Sequence, residues 1–315
     1  MFVRPFGYRE AADFWGVAHD PELAFRLHAL VGGTPAYREM AGGPPERLAD
    51  FDQWVASRLL APPSAMFMEG DVLMHDRADG TDPTLYYSVL AAIVRGASRR
   101  TEIAAALGRS DAGLTHPLTM LERTQLVERA EDALRQRRPV YRVTEPVIRL
   151  SHLVIRPNEA RLIGGAARQV WSEAADTVTS LIHGPHLEEL ARTWCLVHAE
   201  RDTLGGRASR VQPTVIACQA HREGHQLDLV ATEVRPHAGD RVIAVGEVKA
   251  TRRPMTLTEL HRLEHLRALL PAAKVDAPPR LLLFSRSGFA ADLAAEAGRR
   301  ADVELVDLAR LYRGG

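Results

Sequence analysis

From His183 to the C-terminus the hydrophobic pattern alternates: a helix, three strands, a helix, a strand, a helix and a strand. Alternation of that kind demands an α/β domain, with helices covering a sheet. The expected elements are a helix over 184–199 and strands near 211–218, 227–232 and 241–249. A helix over 257–270, a strand at 281–284, a helix over 289–297 and a strand at 303–306 follow. Two of these strands carry charge. Asp228 sits in Gln226-Leu227-Asp228-Leu229-Val230-Ala231, among apolar neighbours, and Val242-Ile243-Ala244-Val245-Gly246-Glu247-Val248-Lys249 ends in Glu-x-Lys.

Side chains alternate across a strand, so Glu247 and Lys249 point to the same side with Val248 buried behind them. If the two strands pair, Asp228 and Glu247 converge on one divalent cation. Hard oxygen ligands of this kind suit Mg²⁺ or Mn²⁺, which keeps several waters and can hold a scissile phosphate. The metal lowers the pKa of a bound water and offsets charge on the transition-state phosphate. Lys249 then holds the attacking water or stabilises the developing negative charge. Of the 40 basic residues only Lys249 and Lys274 are lysine. A lysine at this position therefore points to a need for a compact ammonium rather than a planar fork.

Asp228, Glu247 and Lys249, with this order of elements, resemble the PD-(D/E)xK nuclease superfamily. In that superfamily a glutamate on the first helix often joins the metal site. The resemblance implies that role for Glu188, with Glu189 as its neighbour. The catalytic set expected is thus Asp228, Glu247, Lys249 and Glu188, with Asp228 and Glu247 as the metal ligands.

Residues 84–143 follow a different pattern: three compact helices and then a hairpin. The first helix presents Leu85, Val89, Ala92 and Ile93. The second, Thr101–Leu107, stops at Gly108, a residue suited to the left-handed conformation. The third offers Leu114, Leu118 and Leu121, and Pro117 requires that it start at Thr115 or kink there, since proline is tolerated only in a first turn. A strand at 126–129, a basic loop over 135–139 and a returning strand at 140–143 complete a winged helix-turn-helix layout. Residues 92–142 hold 10 arginines against 6 acids, whereas residues 1–80 hold 7 against 12. Arg109, Arg123, Arg135, Arg137 and Arg138 can each neutralise a phosphate, with the third helix in the major groove and the wing on the backbone. Duplex DNA is the expected partner. The bland alternative is a docking module with solvated arginines.

Residues 1–80 read as short helical pieces broken at Gly32-Gly33, Gly42-Gly43-Pro44-Pro45 and Pro62-Pro63; the run Pro21–Leu30 puts Leu23, Leu27 and Leu30 on one face. Nearly the whole chain resembles the C-terminal part of archaeal-type AAA+/STAND-like ATPases. The resemblance is carried by Arg4-Pro5-Phe6, Tyr8-Arg9-Glu10-Ala11, Phe14-Trp15-Gly16, Leu30-Val31-Gly32-Gly33-Thr34-Pro35-Ala36-Tyr37, the Ile103–Gly108 segment and Ile155-Arg156-Pro157-Asn158. It implies a lid region followed by a winged helix and a restriction-endonuclease-like domain. The departure is the nucleotide site: Gly32-Gly33-Thr34-Pro35 lacks the lysine and the strand–loop–helix setting of a P-loop. The resemblance starts after the nucleotide-binding core, so no ATP site and no ATP hydrolysis are expected of this chain alone. Self-association or a separate ATPase subunit are the partners the resemblance leaves open.

The resulting expectation is an α+β multidomain chain. It comprises a helical lid-like segment (1–80), a winged helix-turn-helix (81–150), a helical connector (151–182) and an α/β PD-(D/E)xK nuclease-like domain (183–315). The functional expectation is a DNA-binding protein with a Mg²⁺- or Mn²⁺-dependent nuclease domain. The alternative is a non-catalytic DNA-binding or regulatory fragment with a degenerate nuclease fold. Cys195 and Cys218 form no CxxC pair, which fits a reducing cytosol. No apolar run approaches about 18 residues and no signal pattern opens the chain, so a cytoplasmic protein without a membrane partner is expected. Lys plus Arg equals Asp plus Glu at 40 each, which leaves global charge silent about partners. His183-x-x-His186 and Cys195-x-x-His198 have zinc-like spacing, but chance pairs are expected among 13 histidines. His221 and His225 read as loop histidines before a strand, Ser287 as the cap of the following helix, and Trp171 and Trp194 as core.

Overall fold

Turn signals every few residues keep the N-terminal helices short. In the computed structural model, which describes residues 4–77, 83–135, 138–218, 222–235 and 239–315, the first helix is Tyr8–Trp15. Glu10 Oε2 accepts from the Gly7 backbone N–H at 3.0 Å, and Gly16 closes the helix at φ 76°. Asp20 caps the helix Pro21–Val31, its Oδ1 accepting from Leu23 N at 3.0 Å with proline at the first position. Leu23, Leu27 and Leu30 are buried as the spacing requires, and Phe25 is buried with them. Gly33 is fixed by proximity: Phe6 N donates to Gly33 O at 2.9 Å, and a Cβ there would lie 2.0 Å from the Phe6 carbonyl oxygen. Trp171 is buried, and its Nε1 donates to Asp52 Oδ1 at 2.9 Å.

The helices Pro83–Val94, Arg100–Leu107 and Thr115–Arg123 share one core with strands β1 (Val127–Ala130) and β2 (Val140–Val143). Val89, Leu90, Ile103, Leu114, Leu118, Leu121, Val127 and Val143 meet in it. Each fully buried leucine contributes about 1.5–3 kcal/mol of transfer free energy. Gly108 ends the second helix at φ 60°. The third helix starts at Thr115 after a short 3-10 turn, so Pro117 falls in its first turn and no kink is needed. β1 and β2 pair antiparallel from Val127 opposite Val143 to Ala130 opposite Val140. Tyr141 N donates to Ser98 O at 2.7 Å, which ties the hairpin back to the turn before the second helix.

The chain divides into two compact units. One comprises the residues up to Ala130 together with Pro139–His183; the other comprises Glu131–Arg138 and Gly184–Gly315. Helical pieces from Pro146 to His183, π-helical at Ser151–Ile155 and Val178–His183, belong to the first unit. The loop between β1 and β2 belongs to the second. There Asp132 Oδ1 accepts from Leu134 N, Arg135 N and Thr214 Oγ1 at 3.0, 2.9 and 2.7 Å, and Ala133 N donates to Pro213 O at 3.1 Å.

The second unit is a five-stranded mixed sheet in sequential order. β3 (Arg210–Cys218), β4 (Glu223–Arg235) and β5 (Gly239–Lys249) run antiparallel; β6 (Arg280–Ser285) and β7 (Val303–Asp307) then add parallel to β5. Parallel addition needs a crossover, supplied by the helices Leu257–Ala268 and Ala291–Gly298. Thr256 and Glu259 close a capping box on the first crossover helix. Leu260, Leu263 and Leu266 pack with Leu227, Val245, Leu281 and Leu283. On the helix Gly184–Val197 the indole of Trp194 meets Phe284 edge-on at 5.7 Å. A final helix, Leu308–Arg313, follows β7.

Two local expectations are corrected. Ala290, not Ser287, caps the helix Ala291–Gly298; Ser287 Oγ donates instead to Thr251 O at 2.7 Å, because the chain turns through Gly288 at φ 76° before the helix begins. His225 lies inside β4 opposite Ile216 rather than in a loop, since the strand pairs well upstream of its apolar run. His221 lies outside the described residues.

Candidate functional site

Asp228 owes its position to an irregularity in the sheet. Gln212 pairs with Val230 and Thr214 with Leu227, so Asp228 and Leu229 together oppose the single residue Pro213. This is a β-bulge. Proline has no N–H to give a ladder, and its carbonyl is taken by Ala133. On the other side Leu229 pairs with Gly246, which sets Asp228 beside Glu247. The Asp228 carboxylate accepts from Val248 N at 2.9 Å through Oδ2 and from Gln226 Nε2 at 3.3 Å through Oδ1. Gln226 reaches it because residues two apart on a strand share a face.

Glu247 is 1% exposed, and each of its carboxylate oxygens has a cation. Lys249 Nζ stands 2.7 Å from Oε1, and Arg262, on the helix Leu257–Ala268, pairs with Oε2. The second Arg262 nitrogen, Nη2, donates to Gln226 O at 3.2 Å. From the helix Gly184–Val197 the buried Arg192 reaches Glu188 Oε2 at 3.5 Å and Asp228 O at 3.4 Å. Three acids and three bases thus form one cluster.

Burial pushes the Asp228 carboxyl up to about 7, and repulsion from Glu188 and Glu247 adds to the shift. The Val248 N–H and the Lys249 ammonium oppose it. The site therefore places Asp228, Glu247 and Lys249 together on two adjoining strands, with Glu188 close enough for its charge to be felt. Among the described residues no group of three His, Cys, Asp or Glu side chains stands ready-made around a metal position. The donor chemistry still suits Mg²⁺, which is held by one or two carboxylates with waters completing its shell.

Arg192, Arg262 and Gln226 were not singled out from the sequence. Arg192 lies one helical turn beyond Glu188, and Gln226 two strand positions before Asp228, so both carry a local signal. Arg262 carries none, being 15 residues from Glu247 on a different element.

The arginines expected on DNA are dispersed. Arg109 is exposed just beyond Gly108, and Arg123 is exposed in the last turn of the helix Thr115–Arg123. Arg138 is exposed, Arg135 is half-buried in the loop that belongs to the second unit, and Arg137 lies outside the described residues. Thr115, His116 and Thr119 join Arg123 on the exposed side of that helix. Cys195 is buried, which pushes its thiol up and out of reach of ionisation. No helix among the described residues is long and apolar enough to cross a membrane.

No family model matches the chain, and no curated protein matches it. Among solved structures, a mutant of MepR from a multidrug-resistant S. aureus clinical isolate is similar at 23% identity. The match covers 36% of this chain and 73% of that one with a TM-score of 0.21, a likeness too slight to carry either fold or function. What stands from geometry alone is a helical unit bearing a β-hairpin, and a mixed α/β unit with acids and bases clustered at its sheet.

Proposed function

We propose that the chain binds DNA through a winged helix-turn-helix and hydrolyses phosphodiester bonds at Asp228, Glu247 and Lys249, on a sheet of PD-(D/E)xK type. The observation that carries this reading is the convergence of two carboxylates and one ammonium on β4 and β5, with the acidic member drawn in by a bulge. Asp228 and Glu247 would hold Mg²⁺ or Mn²⁺, with Glu188 as a third acid. Such an ion, when bound, would supply a water of lowered pKa and offset charge on the phosphate. Lys249 orients the attacking water or receives the developing negative charge. Ionised Asp228 is the form that binds a cation, and the cation itself favours that form. The helix Thr115–Arg123 would enter the major groove, with Arg109, Arg123 and Arg138 on phosphates. The resemblance to ATPases adds a separate ATP-binding subunit as a proposed partner.

A second reading has one observation in its favour: both Glu247 oxygens are already engaged by Lys249 and Arg262. On that reading the cluster is a scaffold, and the chain binds DNA without cutting it. Cleavage of linear, circular and single-stranded DNA with Mg²⁺ or Mn²⁺ separates the two. Wild type is compared with Glu247→Ala and Lys249→Ala. The nuclease reading expects cleavage lost in both variants, by at least about 100-fold as for other electrostatic donors, with gel-shift affinity unchanged. Wild-type protein that shifts DNA but leaves it intact under every condition overturns it.

A further inference from the structure

Arg262 reaches the acid cluster from outside the strands that build it. Its Nη1 pairs with Glu247 Oε2, and its Nη2 donates to Gln226 O at 3.2 Å. Gln226 in turn donates to Asp228 Oδ1 at 3.3 Å. One guanidinium therefore ties β4, at the Gln226 backbone carbonyl, to β5, at the Glu247 carboxylate. Its exposure differs from that of its partner: the Glu247 side chain is 2% exposed, the Arg262 side chain 39%. A buried carboxylate needs a counter-charge at all times. A long, half-exposed arginine can supply one and can also swing into water, since its stem is flexible and its head is readily solvated. Lys249, nearly as exposed as Arg262, differs in its place: it lies on the same strand as Glu247, two residues away, whereas Arg262 reaches in from a helix.

We propose that Arg262 is a displaceable counter-ion: it neutralises Glu247 in the metal-free protein, and must leave Oε2 before Asp228 and Glu247 can hold a divalent cation. Arg262 is thus a positioning residue that sets the metal affinity of the cluster, and it acts through Glu247. This inference rests on the metal reading of Asp228 and Glu247. Two cations at one carboxylate oxygen repel each other, so metal and guanidinium compete.

The test is Mn²⁺ binding by the full chain, followed by electron paramagnetic resonance, for wild type, Arg262→Gln, Arg262→Lys and Glu247→Gln. Thermal unfolding with and without Mn²⁺ is recorded beside it. The expected result is at least a tenfold tighter Mn²⁺ affinity in Arg262→Gln, wild-type affinity in Arg262→Lys, and loss of binding in Glu247→Gln. Arg262→Gln should also unfold at lower temperature than wild type without metal and gain more from Mn²⁺ than wild type does. Equal or weaker Mn²⁺ affinity in a folded Arg262→Gln overturns the counter-ion role while leaving the metal site standing. If Arg262→Gln does not fold, Arg262→Met replaces it, and a folded Arg262→Met with wild-type affinity is equally fatal. Absence of Mn²⁺ binding in wild type and both neutral variants overturns the metal reading, and this inference with it.

Discussion

The two units treat buried ionisable groups in opposite ways. The N-terminal unit buries a base, His152, at 6% exposure beside Tyr87 and Arg156, with Nε2 lacking a hydrogen-bond partner among the described residues. Arg156 is itself anchored, Nη1 at 2.6 Å from Asp71 Oδ1 and its guanidinium 4.3 Å from the Tyr87 ring centre. Burial, and then the charge of Arg156, lower the His152 pKa to about 4. The C-terminal unit buries an acid, Asp228, among other acids, and burial raises its pKa to about 7. Both groups are held toward their neutral form by desolvation. One loses a proton for it and the other gains one, so a single pH change separates the units.

The largest effect is expected in the second unit. The folded pKa of Asp228 lies above its unfolded value, so from about pH 4 to about pH 7 the folded state keeps a proton that the unfolded state has shed. Stability of this unit is then greatest at the acid end of that window and declines as pH rises through it, by up to roughly 4 kcal/mol. Asp228→Asn in a chelator should flatten the decline and stabilise the unit at pH 8. Amide hydrogen exchange over residues 184–315 measures it; a variant that is less stable than wild type at pH 8 breaks the contrast.

His152 gives the mirror image on a smaller scale. Its folded pKa lies below the unfolded value, so the first unit is unaffected above pH 6.5 and loses stability as pH falls toward 4, by roughly 3 kcal/mol. His152→Gln should remove that slope in the exchange of residues 84–127 without touching the slope of the other unit. Equal slopes in variant and wild type would assign the acid sensitivity elsewhere.

The smallest stability effects belong to exposed arginines. Arg109→Ala, Arg123→Ala and Arg138→Ala each leave solvent contact rather than packing, so stability should change by less than about 0.5 kcal/mol. Each should instead reduce the slope of log affinity for duplex DNA against log salt by about one. An unchanged slope in all three would remove DNA from these arginines.

Much of the C-terminal fold is legible in the residues. Continuous apolar runs locate the central strands, and the Thr256…Glu259 box marks a helix start by chemistry that needs no partner from afar. The strand ends are less legible: β4 runs from Glu223 to Arg235, well past its apolar core, because pairing with β3 and β5 satisfies backbone groups whatever the side chains. The candidate site is legible in the same uneven way. Alternation puts Glu247 and Lys249 on one side, and they stand 2.7 Å apart. Ser287 shows the opposite case: a residue suited to capping is drawn off by Thr251, 36 residues away in sequence.

Near neighbours along the chain carry the helix and strand periods, the stop at Gly108, the choice at Pro117 between a helix start at Thr115 and a kink, and the shared side of Glu247 and Lys249. These follow from backbone geometry and from sterics acting over a few residues. Only the tertiary structure decided that Pro213 throws Asp228 into a bulge, that Arg192 and Arg262 close the acid cluster, and that the loop after β1 belongs with the sheet. Those features depend on strand register and on charges meeting across distant segments, and the energy of such meetings is set by burial, which the order of residues along the chain does not contain.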